Sequence, residues 1–160
     1  MNVSSKPLAL ITGGAVRLGE ATTRRLASMG YTPVIHAYGH FEKAEALAQE
    51  LNGIAVPGNL MDRAAIDSVF EVIDEHGGRL EVLVNNAAIF QHAPTEDVSQ
   101  DMWDRHLALN LTAPYYCAQL AAPRMRTHGR GVISICSILR LSGPSQVMPI
   151  TLLRKRVSNH

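Results

Sequence analysis

Short apolar runs alternate along this chain with longer segments whose apolar residues recur at three- and four-residue spacing, and the alternation predicts an order of elements. Leu8–Ile11 is the first run and leads directly into a glycine turn. Over residues 14–28 the period changes: Val16, Leu18, Ala21, Leu26 and Met29 are compatible with one helix face, with Gly30 as its stop. Residues 33–37 read as a second strand, Pro33 being tolerated at its start. Phe41, Ala44, Leu47 and Leu51 share a face opposite Glu42, Lys43, Glu45 and Glu50, which predicts an amphipathic helix closed by Asn52-Gly53. A third strand is expected at 54–56. Asp62 then caps a helix that buries Ala65, Ile66, Val69, Phe70 and Ile73 and ends at Gly77-Gly78. A fourth strand at 80–84 precedes a long helical segment over roughly 100–125, with Trp103, Leu107, Leu111 and Leu120 among its apolar positions. Pro114 bends that segment or begins a new one, and Tyr115 and Tyr116 are read as packing residues. A fifth strand is expected at 132–136.

Each strand run is short and nearly free of polar alternation. That is the pattern of a parallel sheet buried between helix layers, an α/β architecture joined by right-handed crossovers. Residues 138–160 show no clear period, so the fifth strand is expected to lie at an exposed edge.

Composition narrows the function classes. The 160 residues are 46% hydrophobic and 18% charged, as in a globular domain. A formal net charge of +1 offers no general basic surface, so nucleic acid is not expected as a partner. The one basic cluster, Arg154, Lys155 and Arg156, reads as a frayed, solvated tail. No apolar run reaches the roughly 18 residues of a membrane span, and Met1–Pro7 has no secretory pattern, so a cytoplasmic protein without membrane contact is expected. Cys117 and Cys136 lie in apolar surroundings and are read as reduced core residues, although the sequence leaves a single disulfide open. No metal-ligand set is assigned.

The chemistry begins at the first turn. Thr12-Gly13-Gly14-Ala15-Val16-Arg17-Leu18-Gly19 joins the first strand to the first helix, where glycines allow close backbone approach and a helix N-terminus offers donors to an anion. This string resembles the Thr-Gly-x-x-x-Gly-x-Gly turn of the short-chain dehydrogenase/reductase family, with Arg17 in the middle glycine slot. The resemblance implies a Rossmann-type three-layer α-β-α fold with a parallel sheet, incomplete here at its C-terminal side. Residues 1–148 form the nucleotide-binding domain on this reading, and 149–160 a divergent basic tail. Arg in that slot resembles the pteridine-reductase branch, which implies NADP(H). Physically, a guanidinium can hold a ribose 2′-phosphate through a fork of donors, and a surface Arg at the first helical turn is the alternative. No carboxylate stands in His36-Ala37-Tyr38-Gly39-His40 at the end of the second strand, which favours NADP over NAD, and His40 is a candidate donor.

The resemblance continues along the chain. Asn59-Leu60 follows the third strand, where the family has an adenine-contacting acid. Asn85-Asn86-Ala87-Ala88 resembles the family's Asn-Asn-Ala-Gly at the fourth strand exit. Gly13, Arg17, Leu18, Gly19, His40, Asn59, Leu60, Asn86 and Ala87 are accordingly the expected cofactor residues. Asn110 matches the helix asparagine that supports a proton relay, or makes a structural bond instead. Ser137 matches the carbonyl-orienting serine. The family's proton-donating tyrosine would fall near Pro149, Ile150 or Thr151, yet no tyrosine follows Tyr116, and Thr151 with Lys155 gives Thr-x-x-x-Lys. An aliphatic hydroxyl is a much weaker acid than a phenol of pKa about 10. The expectation is therefore an NADPH-dependent reductase of a carbonyl or pterin substrate at family level, truncated after the catalytic serine. The alternative is an inactive nucleotide- or partner-binding fragment that associates with a full-length homologue. A homo-oligomer is expected to have an incomplete interface.

Overall fold

The computed structural model describes residues 7–136 and the backbone of Lys155–Ser158. Five strands alternate with helices: β1 (Leu8–Ile11), α1 (Arg17–Ser28), β2 (Thr32–Ala37), α2 (Phe41–Leu51), β3 (Ile54–Pro57), α3 (Arg63–His76), β4 (Leu80–Asn85), α4 (Gln100–Leu107), α5 (Ala113–Thr127) and β5 (Arg130–Ile135). A further strand, β6 (Lys155–Ser158), closes the order. The sheet runs β3-β2-β1-β4-β5-β6, parallel from β3 through β5. Because the chain reverses its direction of progress between β1 and β4, a crevice opens beyond the carboxyl ends of those two strands.

Local chemistry accounts for most boundaries. Asp62 accepts from the Ala64 N–H at 3.0 Å and so begins α3, while Gly77 ends it with φ +69°. Asn52 closes α2 in the left-handed region. On one face of the sheet, Leu8, Leu10, Val34 and Leu83 pack with Ile66, Val69, Phe70 and Ile73 of α3 and with Cys117, Ala121 and Met125 of α5. On the other face Ile35 and Ala37 meet Ala44, Leu47 and Ala48 of α2, and Ala9 and Ile11 meet Leu26 of α1. Glu81, buried in β4, pairs with Arg130 at 2.8 Å and Arg79 at 3.4 Å.

Three expectations change, and one, the division of the long helix at Pro114, is made specific. β5 is not an edge: β6 pairs with it antiparallel, with Val132 opposite Arg156, so part of the basic tail is strand. The unpaired N–H and C=O row of an apolar parallel strand attracts any chain able to pair with it, and the pairing is blind to the lack of apolar alternation in Lys155-Arg156-Val157-Ser158. α1 turns a different face inward, since Leu18 and Met29 are exposed while Gly19 and Thr23 are buried. The helix approaches the turn too closely for large side chains there. The long helix is two, α4 and α5, joined by a π turn at Ala108–Thr112, with Pro114 in the first turn of α5. Its buried face is Ala113, Pro114, Cys117, Ala121 and Met125, so Trp103 (54%), Leu111 (64%) and Tyr115 (60%) stand exposed. Tyr115 is thus not a core residue, whereas Tyr116 packs against the core beneath the Arg63 guanidinium, 4.4 Å from its ring centre.

Candidate functional site

The site is built where the turn after β1 meets the exit of β4. Thr12 and Asn86 stitch the two together. The Thr12 hydroxyl accepts from the N–H groups of Asn86 (2.9 Å) and Ala87 (3.0 Å) and donates to the Val84 carbonyl at 3.4 Å. The Asn86 amide donates to the carbonyls of Thr12 (3.0 Å) and Gly13 (2.9 Å). These bonds satisfy backbone groups at the point where the sheet ladder ends. They also press α1 onto the turn: a Cβ at Gly19 would overlap the Gly13 carbonyl oxygen, and Gly13 itself has φ +61°. Thr23 secures the same turn from the helix side by donating to the Gly14 carbonyl at 3.0 Å.

A groove results, lined by Gly13, Arg17, Leu18, Gly19, Asn86 and Ala87. Six of the expected cofactor residues, distant in sequence, are thereby brought together. The Glu20 N–H reaches the Val16 carbonyl at 3.2 Å, and the donors ahead of it belong to the first turn of α1, beside the groove. Arg17 sits at φ +53°, a left-handed conformation that costs a side-chain-bearing residue about 1–2 kcal/mol.

Other expected residues lie elsewhere. His40 is exposed beyond β2, its Nδ1 3.9 Å from Glu42, and lines neither groove. Asn59 folds back on its own loop, its Oδ1 accepting from the Met61 N–H at 3.2 Å. The Leu60 side chain is buried in the core under α3 and lines neither groove. Ser137, Pro149, Ile150 and Thr151 lie outside the described residues, and of Lys155 only the backbone is described.

A second cavity adjoins the groove and is lined by Asn85, Ala88, Ile89, Phe90, Asn110 and Cys136 among others. Asn110, in the π turn, accepts from the Ile89 N–H at 2.9 Å and donates to the Ile89 carbonyl at 2.8 Å. The amide thus clamps the backbone at Ile89, and the clamp fixes the cavity wall. One helical turn earlier, His106 accepts from the Gln91 N–H at 3.1 Å and extends the same clamp. Cys136, read as a core residue, is only partly buried and lines both cavities; burial raises its thiol pKa. Asn85 Nδ2 and Ser134 Oγ are buried and find no partner among the described residues.

The sequence reading missed Thr12, His36, His106 and Cys136. His36 carried a usable signal, a histidine inside an apolar strand. It is almost fully buried, takes the Gly13 N–H on Nδ1 at 3.3 Å and meets the Gly58 carbonyl through Nε2 at 2.9 Å.

A doubly wound parallel sheet with a glycine turn and a groove at its switch point places the chain among dinucleotide-binding α/β domains. Comparison with known proteins places it further. The short chain dehydrogenase family profile matches residues 7–148, and the chain belongs to that family. It is 29% identical over 141 residues to a 3-oxoacyl-[acyl-carrier-protein] reductase of Staphylococcus aureus, covering 84% of this chain and 57% of that protein. It is 32% identical over 143 residues to a D-beta-hydroxybutyrate dehydrogenase of Cupriavidus necator, covering 86% and 55%. The chain thus spans little more than half the length of these relatives. Among solved structures, the FolM alternative dihydrofolate reductase 1 of Brucella canis, complexed with NADP, superposes with TM-score 0.75 at 28% identity, covering 83% of this chain and 54% of that one. A metagenomic short-chain oxidoreductase in complex with NADP gives TM-score 0.76 at 33% identity, covering 89% and 66%. Among the described residues no helix is long and apolar enough to cross a membrane.

The left-handed Arg17 yields a prediction that separates stability from binding. Arg17→Gly relieves about 1–2 kcal/mol of backbone strain against about 0.5–1 kcal/mol of added unfolded-state freedom. Urea denaturation of the free protein is expected to show a net gain of about 0.5–1 kcal/mol, and a loss would mean that the side chain stabilises the turn.

Proposed function

We propose that this chain is the nucleotide-binding part of an NADPH-dependent oxidoreductase that reduces a carbonyl or pterin substrate. The observation that carries the reading is the groove in which Arg17 flanks the glycine turn and the head of α1. Backbone donors there suit a pyrophosphate. The Arg17 guanidinium, carried on the same turn, suits a 2′-phosphate, and no carboxylate at the end of β2 opposes it. Solved structures of similar fold were obtained with NADP, which supports the same cofactor here. Arg17 in the glycine slot, together with the FolM likeness, supports the pterin-reducing branch over simple carbonyl reduction.

The adjoining cavity is the natural place for a substrate next to the nicotinamide. Its wall is the Ile89–Phe90 backbone held by Asn110, and its floor is the end of β4 and β5. A carbonyl oxygen gaining negative charge there needs a hydrogen-bond donor and then a proton. Ser137, directly after Cys136, is the residue assigned to orient it.

Binding tests the reading first. NADPH at about a hundred times its Kd is expected to stabilise the domain by about 2.7 kcal/mol, read as a rise in melting temperature. Arg17→Ala is expected to weaken NADPH about tenfold or more while changing NADH little. Equal weakening of both would show that Arg17 does not read the 2′-phosphate.

Turnover is a separate matter. With Thr151 four residues before Lys155 and no tyrosine beyond Tyr116, the 160-residue chain has no phenol in the donor position. NADPH oxidation with quinonoid dihydropterin or simple ketones is expected at little above background, and robust turnover would overturn the assignment of proton transfer to a missing tyrosine.

The exposed row Trp103, Leu107, Leu111 and Tyr115 favours a role in association as well. The spacing is four residues throughout, so the row forms one ridge along α4, the π turn and α5. A second copy, or a longer homologue, packed antiparallel would set Trp103 against Tyr115 and Leu107 against Leu111. Light scattering is expected to show a dimer that Leu111→Asp dissociates; a monomer for the unaltered chain would remove this reading.

A further inference from the structure

His36 lies beneath the groove rather than in it, and it touches two separate parts of the crevice. Its Nδ1 takes the Gly13 N–H (3.3 Å) from the turn after β1, and its Nε2 lies 2.9 Å from the Gly58 carbonyl, which begins the loop carrying Asn59 and Leu60. A carbonyl only accepts, so Nε2 carries the hydrogen and donates to Gly58. A backbone N–H only donates, so Nδ1 must be bare. One tautomer of the neutral ring satisfies both contacts, and the imidazolium satisfies only one.

We infer that His36 is a positioning residue for the nucleotide: as a neutral ring it sets the distance between the phosphate-binding turn and the adenine-side loop, and its protonation releases the turn. The inference rests on the nucleotide reading above. Backbone contacts around the ring make the link specific. The Gly14 N–H donates to the His36 carbonyl at 3.0 Å, and the Gly58 N–H donates to the Ala37 carbonyl at 3.2 Å, so turn and loop are both hung on the end of β2. Protonation would point a second N–H at the Gly13 N–H, a buried donor facing a donor. Burial holds the His36 pKa below the usual histidine range, which keeps the ring neutral in the folded protein near neutral pH.

Few charges act on the ring from its surroundings. The flanking strands β1 and β3 contain no titratable side chain. The charged residues on the segments packed around it are Arg17 after the turn, His40 and Glu42 at the head of α2, and Asp62, Arg63 and Asp67 at the head of α3. Asp62 is engaged with the Ala64 N–H, Arg63 with Asp67 at 2.9 Å, and His40 lies toward Glu42. The proton on His36 is thus governed chiefly by burial and by its two backbone partners.

The decisive variant is His36→Gln, whose amide offers one donor and one acceptor but does not titrate; His36→Leu removes both contacts. Calorimetric titration with NADP+ is the measurement, since the oxidised cofactor survives mild acid. His36→Leu is expected to weaken binding about tenfold, and His36→Gln to recover most of that loss. As pH is lowered beneath the usual histidine range, affinity of the unaltered chain is expected to fall more steeply than that of His36→Gln, by at least about threefold once the ring is protonated, the Gln variant correcting for titration of the 2′-phosphate itself. The same pH course in both proteins, or unchanged binding in His36→Leu, would overturn the inference alone. An unaltered chain that takes no NADP+ at about pH 7.5 would remove the nucleotide reading and this inference with it.

Discussion

The crevice depends on how closely the exit of β4 is held to the turn after β1. Two side chains do this: the Thr12 hydroxyl accepts from backbone donors of the β4 exit, and the Asn86 amide donates to backbone acceptors of the turn. At the end of a parallel sheet the ladder stops, and the next backbone groups face either water or an unsatisfied burial costing about 1–3 kcal/mol each. Short polar side chains resolve that conflict without adding bulk. The resulting approach is so tight that Gly19 has no room for a side chain, and the head of α1 is brought to the edge of the groove.

The same closeness explains why α1 does not present its largest apolar residues to the sheet. Near the turn the buried positions are Gly19 and Thr23, and Leu18 is left facing the groove. A cofactor face is thus gained at the expense of apolar burial. Arg17 shows a comparable compromise: a left-handed backbone suited to glycine carries a guanidinium instead. Strain held by a side chain at a ligand groove is consistent with a binding role for that side chain.

Asn110 and His106 organise the second cavity by an equivalent device. Both lie on one face of the helical segment around the π turn and both grip the backbone of residues 89–91. The wall of the cavity is therefore as well fixed as the helix behind it.

Much of this was legible in the sequence because it rests on local chemistry. The helix and strand order follows from apolar periodicity, Asp62 and Gly77 mark the ends of α3 by capping, and the glycine spacing from Gly13 to Gly19 identifies the turn that six expected residues converge on. What the tertiary structure alone decided involves partners far apart in the chain. His40 is the donor candidate the sequence points to, but alternation along β2 sends His36 under the turn and the strand end leaves His40 in solvent. Leu60 is drawn into the core by α3, and β6 covers β5 because an open row of backbone groups pairs irrespective of side-chain pattern. Sequence spacing fixes what one segment prefers; which segments meet, and which face each turns inward, is settled only when all of them compete for the same sheet.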